Sequence, residues 1–113
     1  MRIGECVNLG KLASDLKLEE EELSELLDLF LKTASPELIE LQSALIEKNA
    51  WSAERMAHSI KGAAGILGLM EIHDAAKRIE MAARMNRLED VEADLRVIKK
   101  KLETIDEALK GRS

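Results

Sequence analysis

AHSIKGAAGILG (residues 57–68) places one histidine, one lysine and three glycines within twelve positions. Its flanks read as helix, and a glycine in a helix interior costs about 1 kcal/mol relative to alanine. Each helical residue advances the wheel by about 100°. With His58 at the origin, Met56, Ile60, Ala63 and Leu67 fall on the opposite side, with Ala53 and Ala64 beside them. That is a face to bury. Glu54, Arg55, Lys61, Gly62 and Gly65 share the side of His58, which therefore points to water. The glycines lie one and two turns beyond the histidine on the exposed face. A small-residue contact with a neighbouring helix would instead set them opposite His58. On this reading they clear a strip of backbone for something bulky to approach the imidazole.

A helix with one apolar face needs other helices to cover it, and the flanking sequence supplies them. The central helix is expected from Trp51 to about Leu67, with Asn49 as its cap and Gly68 as its stop. Upstream, NLGKLASDL (residues 8–16) reads as a short helix. EEEELSELLDLFLKT follows, with Leu23, Leu26, Leu27, Phe30 and Leu31 at helical spacing and acids in its first turn. Pro36 falls at the first turn of PELIELQSALIEKN, with Ser35 as a candidate cap; a new helix and a kinked long one both fit. Downstream come EIHDAAKRIEMAARMN and, from Glu89, EDVEADLRVIKKKLETIDEALK. The second carries Val91, Leu95, Ile98, Leu102, Ile105 and Leu109 in a heptad-like stripe. Short connections between helices of this length make antiparallel neighbours. The expected fold is all-α: an antiparallel up-down four-helix bundle with a short extra N-terminal helix. It forms one domain over residues 1–113, with its core within about 20–109.

Composition agrees. Hydrophobic residues make up 46% but aromatics only 2%, and there is a single proline, which favours helices over a sheet. No apolar run approaches the roughly 20 residues that cross a bilayer, and the N-terminus lacks signal-peptide form. The lone Cys6 suits a reducing compartment, so a cytoplasmic protein is expected. A net charge of −5 argues against nucleic acid as a partner. The charge is also uneven: residues 19–54 hold ten acids and two bases, whereas residues 55–87 hold six bases and three acids. The segment around His58 is locally basic.

An exposed neutral imidazole is a competent nucleophile. No acid is placed with a serine or cysteine to form an acyl-transfer triad. Glu54 and His58, four apart, could share a metal, but no third ligand is evident. No GxxxxGK[ST] loop is present to bind ATP. What remains is a nucleophile with a cation beside it and room for a partner. That suits phosphoryl transfer, where positioning and electrostatic support do most of the work.

In these residues the chain resembles the histidine-containing phosphotransfer (HPt) domains of two-component phosphorelays. In that family a histidine is followed by lysine at +3, glycine at +4 and small residues on the same face, here His58, Lys61, Gly62 and Gly65. Phe30 and Leu31 ahead of a Pro-containing helix, and AAKRIE after the motif, extend the likeness over about residues 20–109. The resemblance implies a phosphoryl carrier without an ATP site of its own, not an enzyme. His58 would accept the group from a receiver-domain aspartate and pass it to another receiver. Lys61 would neutralise phosphate charge, and Gly62 and Gly65 would admit the receiver. Arg55, Lys77, Glu80 and Arg84 would border the docking surface. The implied partners are response-regulator receivers and a sensor histidine kinase, with the chain itself a monomer. No cofactor is expected on this chain, because magnesium would sit on the receiver. Two other readings share the motif or the fold: the phosphoacceptor domain of a chemotaxis-type kinase, and a helical adaptor that is never phosphorylated.

Overall fold

A computed structural model of the chain describes residues 9–111; Cys6 and the first residue of the expected N-terminal helix lie outside them. The described residues form five α-helices: α1 (Leu9–Leu16), α2 (Glu20–Ile46), α3 (Ala50–Ile66), α4 (Met70–Arg84) and α5 (Glu92–Lys110). A single 3₁₀ turn, Leu88–Asp90, precedes α5. Helix α3 packs between α2 and α4, and α5 closes against both α4 and α2, while α1 rests on α2. The enclosed core is aliphatic. Leu23, Leu27, Leu41, Ile60, Ile72, Ile79, Ile98 and Ile105 are the largest side chains wholly removed from water. Each such burial contributes about 1.5–3 kcal/mol.

Pro36 neither starts a helix nor ends one. Helix α2 runs unbroken through it, so Ser35 is a mid-helix residue and not a cap. A proline removes the bond to the carbonyl four residues earlier. Here Lys32 and Pro36 are both exposed, so water can serve the released carbonyl. On the opposite side Leu31, Ala34, Leu38 and Leu41 continue one buried stripe across the proline, and that shared packing holds both halves in one helix.

The helix ends are more alike than the sequence suggests. After α1, α2, α3 and α4 the chain turns through a positive φ at Lys17, Lys48, Gly68 and Asn86. In each case the next amide reaches back to a carbonyl five residues earlier, as Leu69 does to Ala64 at 2.9 Å and Asn49 to Ala44 at 2.8 Å. These are Schellman closures, which use up the orphan carbonyls of a helix end. Only α3 ends on a glycine at this position, as expected of Gly68; lysine or asparagine accepts the left-handed strain elsewhere. Asn49 caps α3 as expected, its side chain accepting from the Ser52 amide at 3.1 Å. The α5 stripe is also in place: Val91, Ile98, Leu102 and Ile105 are buried, with Leu95 and Leu109 packed beside them.

One face is turned from its expected position. In α3 the buried residues are Ala53, Ala57, Ile60, Ala64 and Leu67, whereas Met56 and Ala63 are only half-buried. On the wheel this moves the centre of the core face by about 40° toward Ala57. The helix has rolled toward α4, half of whose buried residues are alanine: Ala75, Ala76 and Ala83. That roll decides what surrounds His58.

Candidate functional site

His58 stands on the outer face of α3, with 68% of its side chain exposed. Beneath it lies Glu80 of α4, whose side chain is only 4% exposed. His58 Nδ1 is 2.8 Å from Glu80 Oε2. Lys61 Nζ donates to the other oxygen, Oε1, at 2.7 Å. Arg84, one turn along α4, donates to Oε2 at 3.1 Å and, through Nε, to Glu54 at 3.0 Å. One buried carboxylate thus gathers an imidazole, an ammonium and a guanidinium from two helices.

Burial alone would push the Glu80 carboxyl pKa upward. The hydrogen bonds from Lys61 and His58, with their charges, outweigh it and hold the carboxyl below its ordinary value. Glu80 is therefore an anion at neutral pH. An anion at Nδ1 fixes the tautomer of a neutral imidazole: Nδ1 carries the proton and donates it to Glu80, leaving the Nε2 lone pair bare. Nε2 is the nitrogen turned away from the carboxylate, on the open side of the ring.

The residues singled out in the sequence divide into three groups. His58, Lys61, Glu80 and Arg84 are brought together. Glu80 is nevertheless buried among them, not bordering the surface, and it organises the site from below. Lys61, at 24% side-chain exposure, is half-buried and committed to Glu80, so its ammonium does not wait free in solvent. Arg55 is exposed and its guanidinium carbon sits 4.8 Å from the centre of the Trp51 ring. Lys77 is exposed one turn before Glu80 and joins none of these ion pairs.

The two glycines part company. A Cβ at Gly62 would meet nothing within 4 Å, so the helix face one turn beyond His58 is open. A Cβ at Gly65 would lie 3.1 Å from His73 Cδ2. Gly65 is exposed, as expected, but a side chain there would not project freely into water, because its Cβ would press on the imidazole of His73 on α4. The same roll of α3 explains both outcomes, because it turns Gly62 directly opposite the buried face and brings Gly65 toward α4. Glu54, a possible partner of His58 on a metal, is instead engaged by Arg84. Among the described residues no cluster of three or more His, Cys, Asp or Glu side chains is placed to hold a metal ion.

Of two further contributors, the sequence misplaces one and misses the other. Glu80 was seen only as a surface residue, although an acid within the apolar stripe Ile72–Ala76–Ile79–Ala83 was a signal that it faces inward. Ser59, next to His58, donates to Glu37 of α2 and ties the site helix to its other neighbour. No pattern in the sequence pairs these two.

The family model for the Hpt domain matches residues 25–108 of the chain. Among solved structures, the chain resembles histidine-containing phosphotransfer protein B (HptB) from Pseudomonas aeruginosa PAO1. The two are 27% identical and superpose with a TM-score of 0.76, over 89% of this chain and 88% of the other. No curated protein matches the chain.

Proposed function

The chain belongs to the Hpt domain family, and from that premise we propose that it carries phosphoryl groups through a phosphorelay on Nε2 of His58. The observation that supports this best is the pairing of an exposed imidazole with a buried anion. Glu80 holds the Nδ1 proton, so the lone pair that reacts is the one facing the partner. When His58 attacks an aspartyl phosphate, the Nε2–P bond forms as the acyl P–O bond breaks, and the aspartate leaves as a carboxylate. The ring becomes cationic in that step. Glu80, already ionised and already in contact, stabilises the new charge without reorganising. The reverse transfer, to a second receiver, runs through the same arrangement.

Lys61 acts first through Glu80, holding the carboxylate ionised and oriented. It is also a cation one turn from His58 that can turn toward a phosphoryl group once the imidazolium satisfies Glu80. The open backbone at Gly62 leaves room for the partner's loops. Magnesium, and the acids that bind it, would belong to the receiver. The protein would work as a carrier in the cytoplasm, as a monomer, with α2 to α5 as an up-down four-helix bundle. The closed order of contacts from α2 through α3, α4 and α5 back to α2 supports that arrangement. No described helix is long and apolar enough to cross a membrane. A purely adaptor role gives no reason for a buried carboxylate aimed at one ring nitrogen.

The test is transfer from a phosphorylated receiver. Wild-type chain and His73→Gln should both acquire acid-labile phosphate, while His58→Gln should keep its helix content and acquire none. Labelling of His58→Gln would sink the reading.

A further inference from the structure

The chain has one tryptophan, and it is in water. Phe30, the other aromatic residue, is 5% exposed in the core, whereas Trp51 is 66% exposed. Trp51 lies seven residues before His58, which on a helix means about 20° away on the wheel and about 10.5 Å along the axis. The two side chains share one open groove, together with Glu54, Arg55, Ser59, Glu80 and Arg84. The indole does not stand alone in it, because the Arg55 guanidinium lies over its ring at 4.8 Å. Such stacking limits the rotamers of both side chains.

The face around His58 is therefore lopsided. On the N-terminal side a stacked indole and guanidinium form a raised wall. On the C-terminal side the backbone is bare at Gly62. Any protein that reaches Nε2 has to settle between the two. An interface of standard size covers about 800 Å² on each partner, a patch about 16 Å in radius when circular. Centred on His58, such a patch takes in Trp51.

We propose that Trp51, steadied by Arg55, is the residue that seats a receiver domain on the His58 face and selects among receivers. The inference rests on the phosphorelay reading above and deepens it by naming the anchor. The partner surface it fits is an apolar side chain to cover the indole, beside a carboxylate for the outer edge of Arg55. The second requirement follows from charge: Arg84 is bonded to Glu54 and Glu80, whereas among the described residues Arg55 only stacks, which leaves its N–H groups for a partner. Buried aromatic and arginine anchors carry a disproportionate share of interface energy, so an indole left exposed beside the reacting atom is a specificity element.

The experiment uses the whole chain and a tryptophan-free receiver domain, chosen because it exchanges phosphate with the wild type. Trp51→Ala should raise KM for the phosphorylated receiver by about tenfold or more while kcat stays within about twofold. Trp51→Phe should recover part of the loss. Small-molecule phosphoramidate, which needs no docking, should label Trp51→Ala and wild type at equal rates. Because Trp51 is the only indole, its emission should shift to the blue when the receiver is titrated in. An unchanged KM for Trp51→Ala, or an emission maximum that does not move at saturation, overturns the inference. So does a loss of phosphoramidate labelling in Trp51→Ala, which would mean that the indole supports His58 itself. A wild-type chain that is labelled by phosphoramidate but by no receiver would instead sink the phosphorelay reading.

Discussion

His58 and His73 each set Nδ1 against a carboxylate, 2.8 Å from Glu80 in one case and 3.0 Å from Asp74 in the other. What lies behind the contact differs. Glu80 is buried on another helix, tied to Lys61 and Arg84, and 22 residues from His58 in sequence. Asp74 is the next residue along from His73 and 55% exposed, so water competes for its oxygens. The rings differ in the opposite sense: 68% of the His58 side chain is exposed, against 25% for His73, which rests on Gly65. His58 pairs a fixed, dry anchor with an open outer nitrogen. His73 has a loose anchor and a covered ring.

Removing the anchor should break that comparison most severely. Glu80→Gln retains the shape and an acceptor oxygen but loses the charge that faces the forming imidazolium. Transfer from a phosphorylated receiver should slow by about tenfold to a hundredfold, or roughly 1.4–2.7 kcal/mol of transition-state stabilisation. Asp74→Asn should leave the rate unchanged. Rapid-quench kinetics on both variants decide the matter, and equal rates for Glu80→Gln and wild type would reduce Glu80 to a packing residue.

The same carboxylate sharpens the comparison through pH. Its pKa is held below the ordinary 4.5 in the folded chain, so the folded state keeps this proton off more readily than the unfolded state does. The stability this contributes is complete above the unfolded value and is lost as pH falls through the lowered folded one. Thermal melts from neutral pH to below about pH 4 should therefore show a steeper acid loss for wild type than for Glu80→Gln. Parallel curves for wild type and Glu80→Gln would refute the linkage.

The smallest effect concerns the glycines beside each histidine. Gly62→Ala adds a methyl group to open space and should stabilise the isolated domain by up to about 1 kcal/mol through helix propensity. Gly65→Ala gains the same propensity but pushes its methyl against His73, so its net gain should be smaller or negative. In a His73→Ala background the two substitutions should become equivalent. Chemical denaturation of the single and double variants measures the coupling, and equal gains in the wild-type background would mean that His73 gives way freely.

Much of this was legible beforehand. The heptad-like stripe of α5, the Asn49 cap and the Gly68 stop follow from local patterns that tertiary packing had no reason to override. So did the outward aim of His58, because Ile60 and Leu67 are large enough to mark the opposite side as core. The exact roll of α3 was not legible. Alanine gives little hydrophobic signal, so Ala57, Ala75, Ala76 and Ala83 did not reveal that α3 and α4 approach closely through small residues. A wheel weighted toward Met56 and Ile60 misplaced the seam by less than half a turn. That was enough to confuse the open glycine, Gly62, with the filled one, Gly65. Pro36 stayed open for a related reason: its local rule concerns one lost hydrogen bond, while four buried residues on the far side of α2 outweigh it.

Sequence by itself determined the all-helical class, the family and the candidate histidine, because these rest on periodicity and on a motif within twelve consecutive residues. Tertiary structure alone decided which nitrogen of His58 is free, what Lys61 is bonded to and why Gly65 lacks a side chain. Each of those depends on a residue of α4, Glu80 or His73, meeting α3 across the helix interface. Such a meeting is set by the roll of one packed helix on another, and a difference of about 40° in that roll is invisible to any count of residues along the chain.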